Sequence, residues 1–316
     1  MKRRFAALNL IVASAVSFPV PGLCAASPVE EQPDFTIRSD VRLVLMDVSV
    51  KDREGGFVSG LSKDNFTVSE NGRPQRITAF AHDDIPVTVG ILVDESFSMT
   101  PKRADVLTAA QTFIEESNPH DEVFVLNFND KVRRGLPDKV LFSDNVLQLR
   151  SALHRGIPEG KTALNDAIVE GLKQLELGRR DKKTLVVISD GGDNASQHKR
   201  GEMLDKVERS VATIYTIGLY DSDDPDRNPG ILRELAKISG GEAYFPERPS
   251  GMIPVCRRIA KDIRTRYTLG YIPQAENGPG SLRHIRVRVR TDDHRKLSLR
   301  TRSSYSYDPD SNPSQQ

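Results

Sequence analysis

The rhythm of apolar and polar positions changes twice along the chain. From Phe35 to about Ala81 the spacing is that of short strands. Val44, Met46, Val48 and Val50 alternate with Leu43, Leu45, Asp47 and Ser49, which predicts a strand buried on both faces at first and half-exposed later. Gly55-Gly56 turns the chain. Phe66-Thr67-Val68 leads into Asn71-Gly72, a pair suited to two-residue hairpins, with Ile77 and Phe80 expected on the return strand.

Between Pro86 and Asp262 strands alternate with helices. Val87 to Val93 is nearly continuous in apolar residues, as a strand covered on both faces must be. Ala104, Leu107, Ala110, Phe113 and Ile114 then follow at helical spacing. Val123–Phe128, Lys183–Ile188 and Thr213–Leu219 read as further strands, and Ala163–Leu177 as a helix. Leu232, Leu235, Ala236 and Ile238 lie on a helix that Gly240-Gly241 ends. This alternation predicts an α/β fold, a doubly wound and mostly parallel sheet with helices on both faces.

Strand spacing returns after Arg266. Tyr267, Leu269 and Tyr271 form one alternating set, and Ile285, Val287 and Val289 interleave with Arg286, Arg288 and Arg290. The row from Arg283 to Arg290 is expected on a solvated sheet face. Leu297 and Leu299 continue the pattern. The segments 36–82 and 266–307 are expected to pair into a β-sandwich-like region, with the α/β domain of 86–262 inserted between them. Independent small sheets are the alternative. Residues 308–316 are rich in Ser, Pro and Gln and are expected to be disordered.

The first residues stand outside this scheme. Lys2, Arg3 and Arg4 precede an apolar stretch from Phe5 to Val20, and Cys24-Ala25-Ala26 supplies small residues for cleavage. Residues 1–26 are therefore read as a signal peptide, and the protein as exported, periplasmic or extracellular. Residues 27 to 35 look like a linker. Pro21-Gly22-Leu23 is a poor lipobox, which argues against lipidation at Cys24. No later segment has the length and apolarity of a transmembrane helix.

Composition adds exclusions. With 316 residues, 28% charged and 37% hydrophobic, the chain suits globular domains. A net charge of +1 gives no global attraction to nucleic acid or anionic membrane. The arginine row lacks the interleaved aromatics on which bases stack. After cleavage only Cys256 remains, so neither an internal disulfide nor a cysteine zinc site is available, and Cys256 is expected in the core. The histidines are scattered.

Candidate chemistry lies at Asp94-Glu95-Ser96-Phe97-Ser98, just after the first long apolar strand. Open α/β sheets bind ligands outside the carboxyl ends of their strands. Alternate oxygen side chains there suit a hard dication, which takes oxygen ligands and keeps several waters. Helix capping by the hydroxyls is the plainer alternative.

Asp-x-Ser-x-Ser-Met after a strand ending Leu92-Val93 resembles the first loop of von Willebrand factor type A domains. Gly160-Lys161-Thr162-Ala163-Leu164-Asn165-Asp166-Ala167-Ile168 is similar to that family's threonine-bearing loop, and Val187-Ile188-Ser189-Asp190-Gly191 to its third loop. The resemblance covers residues 86 to 262. It implies the family's Rossmann-like fold and a metal-ion-dependent adhesion site (MIDAS) of Asp94, Ser96, Ser98, Thr162 and Asp190. It further implies that Mg²⁺, or Mn²⁺ or Ca²⁺, captures an Asp or Glu carboxylate of a partner protein without catalysis. Gly-Leu-x-x-x-Asn-Phe-x-Val-x-Glu-Asn-Gly before and Tyr-x-Leu-Gly-Tyr after look like secreted bacterial A-domain proteins first noted in acidobacteria. One residue departs: Phe97 stands where the family usually has Gly, which would matter if the loop needed unusual backbone angles.

Other readings are weaker on the residues. A haloacid dehalogenase-type phosphatase needs a carboxylate where Ser96 stands, and no Gly-x-Ser-x-Gly surrounds Ser96 or Ser98. A secreted Mg²⁺-dependent hydrolase of another design, or an envelope protein with a vestigial site, remain as alternatives. Asp193, Asn194 and Asp166 are expected to be turn or supporting residues, and Asp221–Asp226 a solvated loop instead of a calcium site.

Overall fold

The computed structural model describes residues 43–220, 227–273, 281–291 and 296–307. The readings placed on residues 1–26, 27–35, 221–226 and 308–316 lie outside these. In chain order the first elements are β1 (Val44–Lys51), β2 (Phe66–Glu70), β3 (Arg73–Gln75), β4 (Ile77–Ala81), β5 (Thr88–Asp94) and α1 (Arg103–Glu116). Next come β6 (Glu122–Phe128), β7 (Val132–Arg134), α2 (Val146–His154), α3 (Leu164–Glu176), β8 (Lys183–Ser189) and α4 (Arg200–Arg209). The last are β9 (Thr213–Gly218), α5 (Pro229–Ser239), β10 (Ala243–Tyr244), α6 (Met252–Thr265), β11 (Tyr267–Tyr271), β12 (Ser281–Val289), β13 (Ser298–Arg300) and β14 (Ser304–Tyr307).

The central sheet has the order β10-β9-β8-β5-β6-β7, parallel throughout except for the β6–β7 pair. Every residue of β5 is buried, so helices must cover both faces, as its unbroken apolar run requires. Helix α1 turns Leu107, Ala110, Phe113 and Ile114 inward as expected, together with Val106 and Ala109, whereas Ala104 is exposed. Gly240 ends α5 in the left-handed region at φ 79°. The chain winds one way from β5 to β6 and the other way from β8 to β9. Strand order therefore reverses between β5 and β8, and open α/β sheets bind ligands outside the carboxyl ends of strands at such a point.

The flanking segments form two four-stranded antiparallel sheets, β13-β1-β11-β4 and β14-β12-β2-β3. Each sheet mixes strands from before and after the central domain. Met46, Val48, Phe66, Val68, Leu269 and Ile285 belong to the single apolar core they share. Among the described residues no helix is long and apolar enough to cross a membrane.

Three details correct the sequence pattern. Strand β1 is exposed at its start, with Leu43 and Leu45 41% and 43% accessible, and buried at its end. The cause lies in partners from remote sequence. Ser49 Oγ donates to Asp262 Oδ1 at 2.5 Å, and Lys51 pairs with Glu242. Burial alone would raise the Asp262 carboxyl, but Arg266, Ser49 and Tyr215 hold it below the usual range. The hairpin at Asn71-Gly72 returns only as β3, an edge strand that accommodates Pro74, while Ile77–Ala81 crosses to the other sheet. Arg283 does not belong to the solvated row. It points inward beside Ile285 and donates to Glu70 Oε1 at 2.7 Å, whereas Arg286 and Arg288 are exposed. Cys256 is buried as expected, and burial pushes its thiol up to about 12.

Candidate metal centre

Strand β5 ends at Asp94, at the carboxyl edge of the sheet, and the chain then turns. Glu95 N donates to Phe128 O at 2.7 Å, and Ser96 N donates to the Asp94 carboxylate at 2.9 Å. A short 3-10 helix, Phe97–Lys102, follows. Ser96 occupies its N-cap position, yet its side chain makes no capping bond, so helix capping does not explain this hydroxyl. Instead the Ser96 and Ser98 hydroxyls lie 3.2 Å apart, and Ser98 Oγ donates to Asp190 Oδ2 at 2.5 Å.

Asp190 follows β8 directly. Its Oδ1 accepts from Gly192 N at 2.9 Å, and Asp94 Oδ2 accepts from Ser189 Oγ at 2.6 Å. Between them Gly191 adopts φ +86°, and a Cβ there would lie 2.4 Å from the Asn228 carbonyl oxygen. Only glycine combines that backbone with that close approach. Asp94, Ser96, Ser98 and Asp190 thus stand in one connected hydrogen-bond network.

Thr162, two residues before α3, is not a member of that network; its backbone ties it to the loop after Asp190. Its N–H donates to Asn194 Oδ1 at 2.9 Å, and its carbonyl accepts from Asn194 N and Ala195 N, both at 3.0 Å. Phe97 N donates to Gly160 O at 3.1 Å, tying the first loop to the second. Thr162 itself is buried.

The electrostatics are unusual for a purely structural turn. Asp94 and Asp190 are each only 2% exposed. Burial, followed by the neighbouring Asp190 charge, pushes the Asp94 carboxyl up to about 7. Among the described residues no basic side chain pairs with either carboxylate. Nor do those residues gather three or more His, Cys, Asp or Glu in a metal-binding group. The donor set is instead two carboxylates with neighbouring hydroxyls, a composition of oxygen atoms that suits a hard cation with water completing its shell.

Phe97 causes no backbone strain. Asn71 is the only non-glycine residue with positive φ among those described, so Phe97 does not occupy a glycine conformation. Its ring is 74% exposed at the rim. Pattern reasoning passed over several supports. Glu95, 1% exposed, receives Arg103 Nε at 2.7 Å, and Arg103 Nη2 also donates to Gly156 O at 3.0 Å. Asn129 Nδ2 donates to Ile157 O at 3.2 Å, and Asn129 O accepts from Ala163 N at 2.8 Å. Only the Asn-Asp polarity of those loops could have signalled them. The expected turn residues serve backbone too. Asp193 accepts from Ser196 N, and Asp166 from Gln197 N, His198 N and the His198 ring.

Comparisons with known proteins bear on the fold of the central domain. Residues 89–192 match the family model of the von Willebrand factor type A domain. An uncharacterized protein of Synechocystis sp. is 22% identical over 178 residues, or 55% of this chain; the match spans only 41% of that relative's length. A von Willebrand factor type A structure from Catenulispora acidiphila superposes with a TM-score of 0.51 at 12% identity, covering 86% of this chain and 76% of its own. The manganese-loaded TRAP protein of Plasmodium vivax gives 0.46 at 12% identity, over 75% of this chain and 98% of its own. The central α/β domain of this chain, with the Asp94 and Asp190 loops at the carboxyl edge of its sheet, has the fold of von Willebrand factor type A domains, and residues 89–192 within it match that family's model.

Proposed function

We propose that Asp94, Ser96, Ser98, Thr162 and Asp190 hold a divalent cation and present it to a carboxylate of a partner protein. Mg²⁺ is the first choice, with Mn²⁺ or Ca²⁺ as substitutes. The observation that carries this is the pair of buried, neighbouring carboxylates, linked through Ser98 and lacking a basic partner among the described residues. Two such charges repel where both are shielded from water, and a dication relieves that repulsion. Asp94 can ligate directly or through water. Serine and threonine hydroxyls add donors without adding charge, so the ion keeps affinity for an outside oxygen. A partner's Asp or Glu would displace water at that position. Binding of this kind makes and breaks no bond in the protein, so the activity is non-enzymatic.

The basic and then apolar start of the chain supports an exported setting, and the strand pattern supports an A-type domain at 86–262 between β segments at 36–82 and 266–307. Calorimetric titration with Mg²⁺ and Mn²⁺ tests the site. Saturable binding that disappears in Asp94→Ala is expected. Absence of binding in the unmodified protein, with no response to chelator in pull-downs, would overturn the proposal.

A further inference from the structure

Phe97 exposes 74% of its surface, more than any other large apolar residue described, and it sits between two hydroxyl residues of the proposed centre. Fully burying a phenylalanine is worth roughly 1.5–3 kcal/mol, so a ligand that covers the ring gains part of that free energy. The backbone does not require this exposure, because Phe97 opens an ordinary 3-10 helix without positive φ. A second apolar side chain belongs to the adjoining segment. Residues 156–160 run against 95–97 through Phe97 N to Gly160 O and Glu159 N to Glu95 O, and Ile157 in that segment is 50% exposed. Asp94, Ser96, Thr162 and Asp190 are buried and Ser98 is half-buried, whereas Phe97 and Ile157 are exposed.

We infer that Phe97, with Ile157, determines specificity at this site by selecting a partner whose captured carboxylate is flanked by an apolar group. This rests on the metal-bridged carboxylate reading above. The cation supplies attraction common to all carboxylates, so discrimination must come from what surrounds the ion. An apolar group next to the carboxylate would shield the Phe97 ring from water, while a bare or strongly polar ligand would leave it wet. A flanking apolar surface of some tens of Å² corresponds to a preference of roughly five- to tenfold.

Mn²⁺ provides the test, because a carboxylate that reaches a paramagnetic ion has its proton resonances broadened even when it binds weakly. The full chain loaded with Mn²⁺ is titrated with acetate and, separately, with 3-phenylpropionate. Half-maximal broadening is expected at a five- to tenfold lower concentration of 3-phenylpropionate. Phe97→Ser should bring the two probes within about twofold of each other. Leu147→Ser should preserve the difference. Leu147 is 70% exposed, but it lies in the first turn of α2, beside the Ser143–Val123 bridge at the far end of β6. Equal affinities in the unmodified protein, or a preference that survives Phe97→Ser, overturn the inference while leaving metal-dependent carboxylate capture intact. If neither probe is broadened beyond the level seen in Asp94→Ala, carboxylate capture fails and the inference fails with it.

Discussion

The Thr162 amide donates to the Asn194 side chain at 2.9 Å, while the Thr162 carbonyl receives Asn194 N at 3.0 Å. One asparagine therefore clasps both sides of a proposed ligand from a loop that follows another strand. This makes Asn194 a positioning residue, placed to set where the Thr162 hydroxyl is held. Asn194→Ala leaves the Thr162 amide without its acceptor in a buried place, at a cost of about 1–3 kcal/mol. We expect a matching fall in the denaturation midpoint, and a fall in Mg²⁺ affinity larger than that of an exposed-site control such as Leu147→Ser.

Gly156 lies where a Cβ would come within 2.0 Å of Glu95 Oε1. The Glu95 tip cannot swing away cheaply, since Arg103 holds it and the side chain is buried. Gly156→Ala should therefore cost roughly 1–3 kcal/mol in chemical denaturation. In a Glu95→Ala background the same change should cost clearly less, because the obstructing carboxylate is gone. Equal costs in both backgrounds would disprove the contact.

Glu70 sits at the end of β2 and gathers the Tyr271 and Tyr305 hydroxyls at 2.5 and 2.7 Å with the buried Arg283 guanidinium. Glu70→Gln would remove the carboxylate charge that accepts from Arg283 and from both tyrosine hydroxyls. A loss of about 1–3 kcal/mol is expected, read as a lower midpoint in urea. Arg286→Gln on the exposed face of β12 should change stability by less than about 0.5 kcal/mol.

Asp121 is 4% exposed and accepts from Val87 N and Asn118 N at 2.8 and 3.1 Å. Burial nonetheless pushes its carboxyl up to about 6, against an ordinary value of 3.8. The folded state then binds this proton more tightly than the unfolded state does. The Asp121 contribution to stability is fully present below about pH 4 and is lost as pH rises through about 6. Asp121→Asn, which cannot ionise, should flatten the slope of unfolding free energy against pH between 4 and 6. An unchanged slope would contradict the shift.

The chain's apolar rhythm by itself determined the alternating strands and helices, because a strand sheathed on both faces needs an unbroken apolar run and a helix needs a 3.6-residue stripe. It likewise brought out the hairpin turn, where Asn71 and Gly72 take positive φ. The loops carrying Asp94, Ser96, Ser98, Thr162 and Asp190 were legible as motifs at strand ends and helix starts. Tertiary structure alone decided the rest. Ser49 stands in the half of β1 expected to be half-exposed, but Asp262, some two hundred residues away, takes its hydroxyl into the interior, as Glu242 does the Lys51 ammonium. Arg283 read as part of an exposed row until Glu70 and the two tyrosines gave it an interior partner. Asn194 and the Glu95–Arg103 pair acquire meaning only when three loops converge. Periodicity records which face of an element is apolar, whereas a buried polar group is fixed by partners that only the folded chain brings within hydrogen-bonding distance.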